Sequence, residues 1–196
     1  MDDIVKKAMA KWPDVPDCYG WLALDARGAW RMRDERAQAL GLAGDKVTQT
    51  ALRGFINRNY MADAAGRWYF QNGPQRVFIN LEATPYIVRT VPGGGFVLHT
   101  DEAVTQINAA WITPAGRIVL DCDGRIALLE DRDTSECLAQ LRLDGAPLDE
   151  ERMLAWLDGA PGSLTLLQAG RVVDVHRLAD ENLAQRFGFI ALPAND

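Results

Sequence analysis

Met61-Ala62-Asp63-Ala64-Ala65-Gly66-Arg67-Trp68-Tyr69-Phe70 decides how this chain is read. A short apolar run meets a turn centred on Asp63 to Gly66, and a second apolar run leaves it. Gly66 stands just past the turn, where the backbone needs a left-handed conformation that only glycine adopts without strain. The stretch therefore predicts a β-hairpin. The same pattern occurs four more times. Gly20-Trp21-Leu22-Ala23-Leu24-Asp25 turns at Ala26-Arg27-Gly28 into Ala29-Trp30-Arg31-Met32. Ile112 to Leu120 turns at Gly116, Leu120 to Leu128 at Gly124, and Leu166 to Val173 at Gly170. An Arg follows the glycine directly in four of the five copies. The spacing between copies is irregular, so the pattern predicts an antiparallel sheet built from one recurring device, not a solenoid.

Helices fall between the hairpins. Residues 3–12 place Ile4, Val5, Ala8, Met9 and Trp12 at helical spacing, and Pro13 and Pro16 end the run. Asp45 is read as the N-cap of a helix from Lys46 to Tyr60. Asp133 and Glu136 resemble a capping box opening a helix through Gln140. Asp149 caps a helix to Asp158 that Gly159 ends, and a last helix runs from about Asp180 to Phe187 before Gly188. Pro92-Gly93-Gly94-Gly95 is the best linker. It gives an N-terminal half, 1–92, and a C-terminal half, 96–196. The expected fold is α+β, with antiparallel hairpins interleaved with short helices in two related halves.

The charge divides at nearly the same place. Residues 1–98 carry 13 Lys/Arg and 10 Asp/Glu, and residues 99–196 carry 8 and 17, for a net charge of −6. An acidic second half argues against a nucleic-acid partner, whose phosphates require clustered cations. Three Cys without C-x-x-C spacing make a disulfide framework or zinc site improbable. The acidic start and the lack of a bilayer-length apolar run lead to the expectation of a cytoplasmic protein with no membrane partner.

Chemistry-bearing motifs are few. Asp121, Asp123, Gly124 and Glu130 fall on positions of a calcium loop, but Val119 occupies the first ligand position and the flanks alternate like strands. Gly41 to Thr48 lacks the ending of a phosphate loop. No cofactor and no metal site is expected. The chain has two His, His99 and His176. His99 stands two residues before Asp101, a carboxylate that could orient an imidazole. The densest polar segment is Arg58-Asn59-Tyr60 through Gln75-Arg76, rich in amides, arginine and aromatic rings. Such a mixture suits a small polar ligand or a protein interface. The candidate binding residues are Arg58, Asn59, Gln71, Asn72, Gln75, Arg76, Glu82 and His99. The rival reading is an acid–base or hydrolytic enzyme using His99 with Asp101 or Glu82. A homodimer formed through an apolar hairpin face is a third reading.

Several of these motifs carry a likeness. Trp21-x-x-Leu24-Asp25-x-x-Gly28-x-Trp30, Arg58-Asn59-Tyr60, Asp63-x-x-Gly66-Arg67-Trp68, Gln71 to Val77, Leu81-Glu82-x-Thr84-Pro85 and His99-Thr100 resemble a family of uncharacterised proteobacterial proteins known as a domain of unknown function. The order of hairpin, helix, hairpin and strands is similar to a second family, with repeated strand-and-helix motifs and a proposed role in signal transduction. The resemblances cover roughly residues 20–135. They imply a bacterial α+β repeat protein and supply no catalytic residue. The lack of a complete catalytic constellation and the polar, aromatic segment 58–76 lead instead to the expectation of a non-catalytic module that binds a small ligand or a protein partner in a regulatory setting.

Overall fold

The computed structural model describes residues 1–179 and 182–195. It divides into two compact units, Met1–Pro85 with the described residues from Ala184 onward, and Tyr86–Leu183. No helix among the described residues is long and apolar enough to cross a membrane.

The first unit begins with α1 (Asp3–Lys11), which buries Val5 and leaves Ile4 exposed. There follow β1 (Cys18–Leu24), β2 (Trp30–Met32), α2 (Glu35–Ala39), β3 (Asp45–Lys46), α3 (Thr50–Arg58), β4 (Tyr60–Ala62), β5 (Trp68–Asn72) and β6 (Gln75–Leu81). They form one six-stranded sheet in the order β3-β2-β1-β6-β5-β4. All pairings are antiparallel except β1 with β6, which run parallel with Leu22 opposite Ile79 and Leu24 opposite Leu81. Successive side chains of a strand face opposite sides. Leu22, Leu24, Val77, Ile79 and Leu81 accordingly share one buried face. Aromatic rings close the far end of this sheet, where Tyr60 packs edge-on to Trp30 at 5.1 Å and donates from its hydroxyl to Pro85 O at 2.7 Å.

The expected helix from Lys46 starts four residues later. Asp45 and Lys46 pair with Met32 and Arg31 as β3, and Val47 N–H donates to Trp30 O. Asp45 is thus a strand residue rather than a cap. Local propensity loses here to a partner strand more than ten residues away.

The second unit holds β7 (Tyr86–Thr90), β8 (Phe96–Leu98), β9 (Ala103–Val104), β10 (Ile107–Ile112), β11 (Ile118–Cys122), β12 (Arg125–Leu129), a 3-10 turn over 131–133, α4 (Thr134–Leu138), β13 (Leu141–Leu143), β14 (Ala146–Pro147), α5 (Glu150–Leu157), β15 (Leu164–Gln168) and β16 (Arg171–Arg177). Its ten-stranded sheet has the order β14-β13-β15-β16-β10-β11-β12-β7-β8-β9. Pairings of β10 with β16 and of β12 with β7 are parallel. The core gathers Val88, Leu98, Ile112, Leu120, Leu141, Leu166 and Val175 on one face, with Trp156 of α5 packed over it. The last helix, α6 (Leu183–Phe187), ends at Gly188 as expected, while its expected start at Asp180 lies outside the described residues.

All five hairpins form. Gly28, Gly66, Gly116, Gly124 and Gly170 have φ of +78°, +79°, +78°, +83° and +77°, the left-handed region the sequence requires. Pro92–Gly95, expected as a linker, is the tip that joins β7 to β8. Thr90 pairs with Phe96 across it, and Val91 N–H donates to Gly95 O. Three glycines in succession satisfy a tight turn as readily as a flexible joint. Asp149 caps α5 by accepting from Arg152 N–H at 2.8 Å, and Gly159 ends it with φ +104°. The Asp133–Glu136 capping box does not form. Both carboxylates turn to Thr90, Asp133 accepting its N–H and Glu136 its hydroxyl, each at 2.8 Å. The α+β class of hairpins interleaved with short helices is the fold observed.

Candidate functional site

Most residues singled out between 58 and 76 hold the first unit together. Asn59 is buried at the end of α3; its Oδ1 accepts from Asp2 N–H at 2.8 Å and its Nδ2 donates to Phe55 O at 2.9 Å. Arg58 reaches the same Asp2 through its carboxylate at 3.3 Å, and this guanidinium holds the Asp2 carboxyl below its ordinary value. Gln71 is buried in β5, donating to Gly73 O at 3.0 Å, while its Oε1 is enclosed without a hydrogen-bond partner. Gln75 ties the β5–β6 tip to Pro16 O at 3.0 Å. Arg76 lies over the Tyr69 ring at 5.0 Å, and Asn72 is exposed at the strand end.

His99 follows β8 and is buried. Its N–H donates to Ile87 O at 2.7 Å, and Ile87 N–H donates back to Nδ1 at 3.2 Å. A carboxylate that orients a general base accepts a hydrogen bond from Nδ1–H. Here Nδ1 is an acceptor, so the proton sits on Nε2 and the ring serves the backbone of β7. Asp101 occupies an exposed turn at φ +68°, and Glu82 belongs to the other compact unit.

Glu82 leads to a different place. It follows β6, where its N–H donates to Leu24 O at 3.0 Å, and its Oε2 accepts from Ala26 N–H at 3.1 Å. It borders an open cleft of about 330 Å³ where the parallel strands β1 and β6 end side by side. The cleft lies on the sheet face opposite the Leu22–Leu24–Ile79 core. Arg31, Ala23 and Asn80 form one row across β2, β1 and β6; Asp25 and Glu82 stand two residues further along β1 and β6, whereas Arg33, on the antiparallel β2, lies the other way, opposite Trp21, whose carbonyl accepts the Arg33 N–H. Period-two alternation therefore delivers all six to one side. Asp25 is nearly buried. Its Oδ1 accepts from Arg27 and Ala29 N–H at 3.0 and 2.8 Å, and its Oδ2 from Arg31 Nε at 2.7 Å. Arg33 Nε donates to Leu42 O at 3.1 Å.

The lip is apolar. Leu42 comes from the turn after α2, and Leu192 from the segment after α6. That segment returns to the first unit through Ile190 N–H to Gly66 O and Leu81 N–H to Ala191 O, at 2.9 and 2.8 Å. A neighbouring cleft of about 500 Å³, between Met32, Asp34, Arg36 and Asp45, shares Leu42 and Ala43. Its Asp34 is already used as the cap of α2, accepting from Ala37 N–H at 2.7 Å. Arg31 and Arg33 were not among the residues chosen from sequence. Their i, i+2 spacing after the first turn was the available signal. Leu192 gave none.

The chain belongs to the family described as Protein of unknown function (DUF2946), whose model matches residues 1–194. No curated protein matches it. Among solved structures it is similar to a DUF1285 family protein from Silicibacter pomeroyi DSS-3, with 13% identity, a TM-score of 0.50, and coverage of 89% of this chain and 94% of that one. It is also similar to a DUF1285 family protein from Shewanella baltica OS155, with 11% identity, a TM-score of 0.40, and coverage of 57% and 85%. The first likeness shows the fold.

Proposed function

We propose that this chain is a non-catalytic module whose first unit binds a small polar ligand in a regulatory role, in the cleft where β1 and β6 end. The observation that carries the proposal is that Arg31, Arg33, Asn80 and Glu82 line one cleft on one face of the sheet, beside exposed Leu42 and Leu192. Open sheets bind ligands outside the carboxyl ends of parallel strands, and small-molecule sites combine an apolar lining with a few convergent polar groups. Of the eight residues chosen from sequence, Glu82 is the one this reading rests on.

The reading includes two related halves. Support comes from strand order. Six consecutive strands of the larger sheet, β12-β11-β10-β16-β15-β13, repeat the pairing senses of β3-β2-β1-β6-β5-β4. Each set has a parallel pair at its centre, and Ala110 opposite Val175 matches Leu22 opposite Ile79. The tips agree too. Glu82 N–H donates to Leu24 O after β6, and Leu178 N–H donates to Ile112 O after β16.

The test is a two-dimensional amide NMR titration of the full chain with a panel of small metabolites. The expected result is a dose-dependent shift of the Ala26, Leu42 and Leu192 amides with at least one compound. A panel that leaves these amides unmoved, or moves only those of Asn72, Gln75 and Arg76, overturns the assignment to the cleft.

A further inference from the structure

We infer that this chain associates with a second copy of itself head to tail, the outer face of α1 on one copy covering the β15–β16 tip of the other. Neither surface shares a residue with the cleft.

By the correspondence of strands above, β5 and β6 match β15 and β16, with Phe70 opposite Val77 matching Leu166 opposite Val173. All four are buried. The next pair toward the tip is Gln71 opposite Arg76 in the first unit and Leu167 opposite Val172 in the second. Gln71 is 1% exposed, whereas Leu167 and Val172 are 43% and 67% exposed. The first tip lies beside α1. Asp2 N–H donates to Asn59 Oδ1, and a Cβ on Gly73 would lie 3.9 Å from the Ala8 Cβ. Gln75 donates to Pro16 O in the segment that follows the helix. In the second unit β10 takes the place of β1, and β9 leads into it through Thr105 and Gln106, with no helix between. The more apolar of the two tips is therefore the bare one. A sheet with one solvent face alternates apolar-in and polar-out. Leu167 and Val172 break that alternation at one spot, directly opposite each other.

Charge selects the occupant. Asp174 stands two residues from Val172 on the same outer face. Asp121 shares that face: Trp111 is opposite both His176 and Val119, and each carboxylate lies two residues from that row toward the same end. Arg142, across Thr165 from Asp174, is turned to the Ala139 and Leu141 carbonyls. The patch thus joins two aliphatic side chains to two carboxylates. The outer face of α1 is its complement. Ile4, Lys7 and Lys11 fall at i, i+3 and i+7 and are exposed, Ile4 by 74%. Asp3 pairs with Lys6 and Asp2 with Arg58, so the carboxylates at the start of the helix are already matched. Packed on the tip of another copy, Ile4 covers Leu167 and Val172 while Lys7 and Lys11 meet the carboxylates. Two tips placed face to face would set carboxylates against carboxylates. The contact joins two different surfaces and is heterologous.

The test is sedimentation velocity of the full chain at concentrations up to about 1 mM, where a small, weak interface registers. The weight-average coefficient should rise with concentration and fall back at high salt. Lys7→Glu combined with Lys11→Glu should weaken association about tenfold or more, and so should Asp174→Lys. An equal mixture of these two variants should associate more tightly than either alone, because the intact α1 of one meets the intact tip of the other. Misfolding of a variant cannot produce that gain. A chain that stays monomeric throughout overturns the inference, as does a mixture that gains nothing. Association that ignores the lysine substitutions but is lost with Val172→Asp also overturns it, and shows that the tips pair with each other.

Discussion

Gly66→Ala should destabilise the protein well beyond the cost of its backbone conformation. The chain contains its own controls. Gly66 and Gly116 occupy the same position in the same type of turn, at φ +79° and +78°. Gly41, in the same unit as Gly66, has φ +64°. An alanine in the left-handed region costs about 1–2 kcal/mol, and this applies to all three. Their surroundings differ. A Cβ on Gly41 or Gly116 meets nothing within 4 Å. A Cβ on Gly66 would lie 2.6 Å from Gly188 O and 3.3 Å from the Phe189 Cα. Both neighbours are backbone, so the whole returning segment must move.

That movement breaks Ile190 N–H to Gly66 O and strains Leu81 N–H to Ala191 O. At about 1 kcal/mol for each bond, Gly66→Ala should lose about 2 kcal/mol more than either control. The assay is urea unfolding followed by circular dichroism. With a slope of about 2 kcal/mol per M, the extra loss lowers the midpoint by about 1 M relative to Gly41→Ala. Equal midpoints for the three variants would refute the claim that the returning segment docks against Gly66. The Gly41 control keeps the comparison within one unit, so unequal stability of the two units does not confuse it.

Acid should act through the turn carboxylates. Burial pushes the Asp63 carboxyl up, but the Arg67 side chain and the Arg67 and Ala65 amides outweigh it, and the folded value lies below the ordinary one. A carboxylate depressed in this way stabilises the fold above about pH 4, and the contribution disappears as pH falls through the lower folded value. Asp63→Asn should flatten the pH dependence of the urea midpoint below pH 4 and leave its shape unchanged from pH 6 to 8. The thiols should divide sharply. Burial pushes Cys122 and Cys137 up to about 12, whereas Cys18 is only partly covered. A thiol reagent at pH 8 should modify one cysteine per native chain and three in urea; rapid native labelling of Cys137 would show that the second core opens.

The hairpins could be read from the sequence because each is decided within a few residues. Asp63 to Gly66 carries its own turn: the carboxylate accepts from the Ala65 and Arg67 amides and from Arg67 Nε, and the glycine supplies the positive φ. The start of α3 could not be read this way. Asp45 and Lys46 satisfy local rules for a helix, and only the presence of β2 draws them into a sheet. Pro92–Gly95 was ambiguous for a related reason, since a glycine run permits a linker and a turn equally. At the candidate site, Glu82 stood out as an acid at a strand end. Arg31 and Arg33 did not, because their common face acquires meaning only when β1 and β6 place Ala23 and Asn80 beside them. Asn59 and Gln71 looked like ligand groups, yet both are buried, and Asn59 fastens the start of the chain to α3.

The sequence by itself determined where this chain turns, which residues form its apolar faces, and that it holds only two His and three Cys. The turns and faces follow from backbone sterics and side-chain chemistry acting over a few residues. Only the tertiary structure decided that β1 runs parallel to β6, that Leu192 returns to the first unit, and that the charges flanking the first turn meet in a cleft. Parallel pairing joins segments more than fifty residues apart through a long crossover. Its register is set by the fit of two distant apolar faces, which no local stretch of sequence encodes.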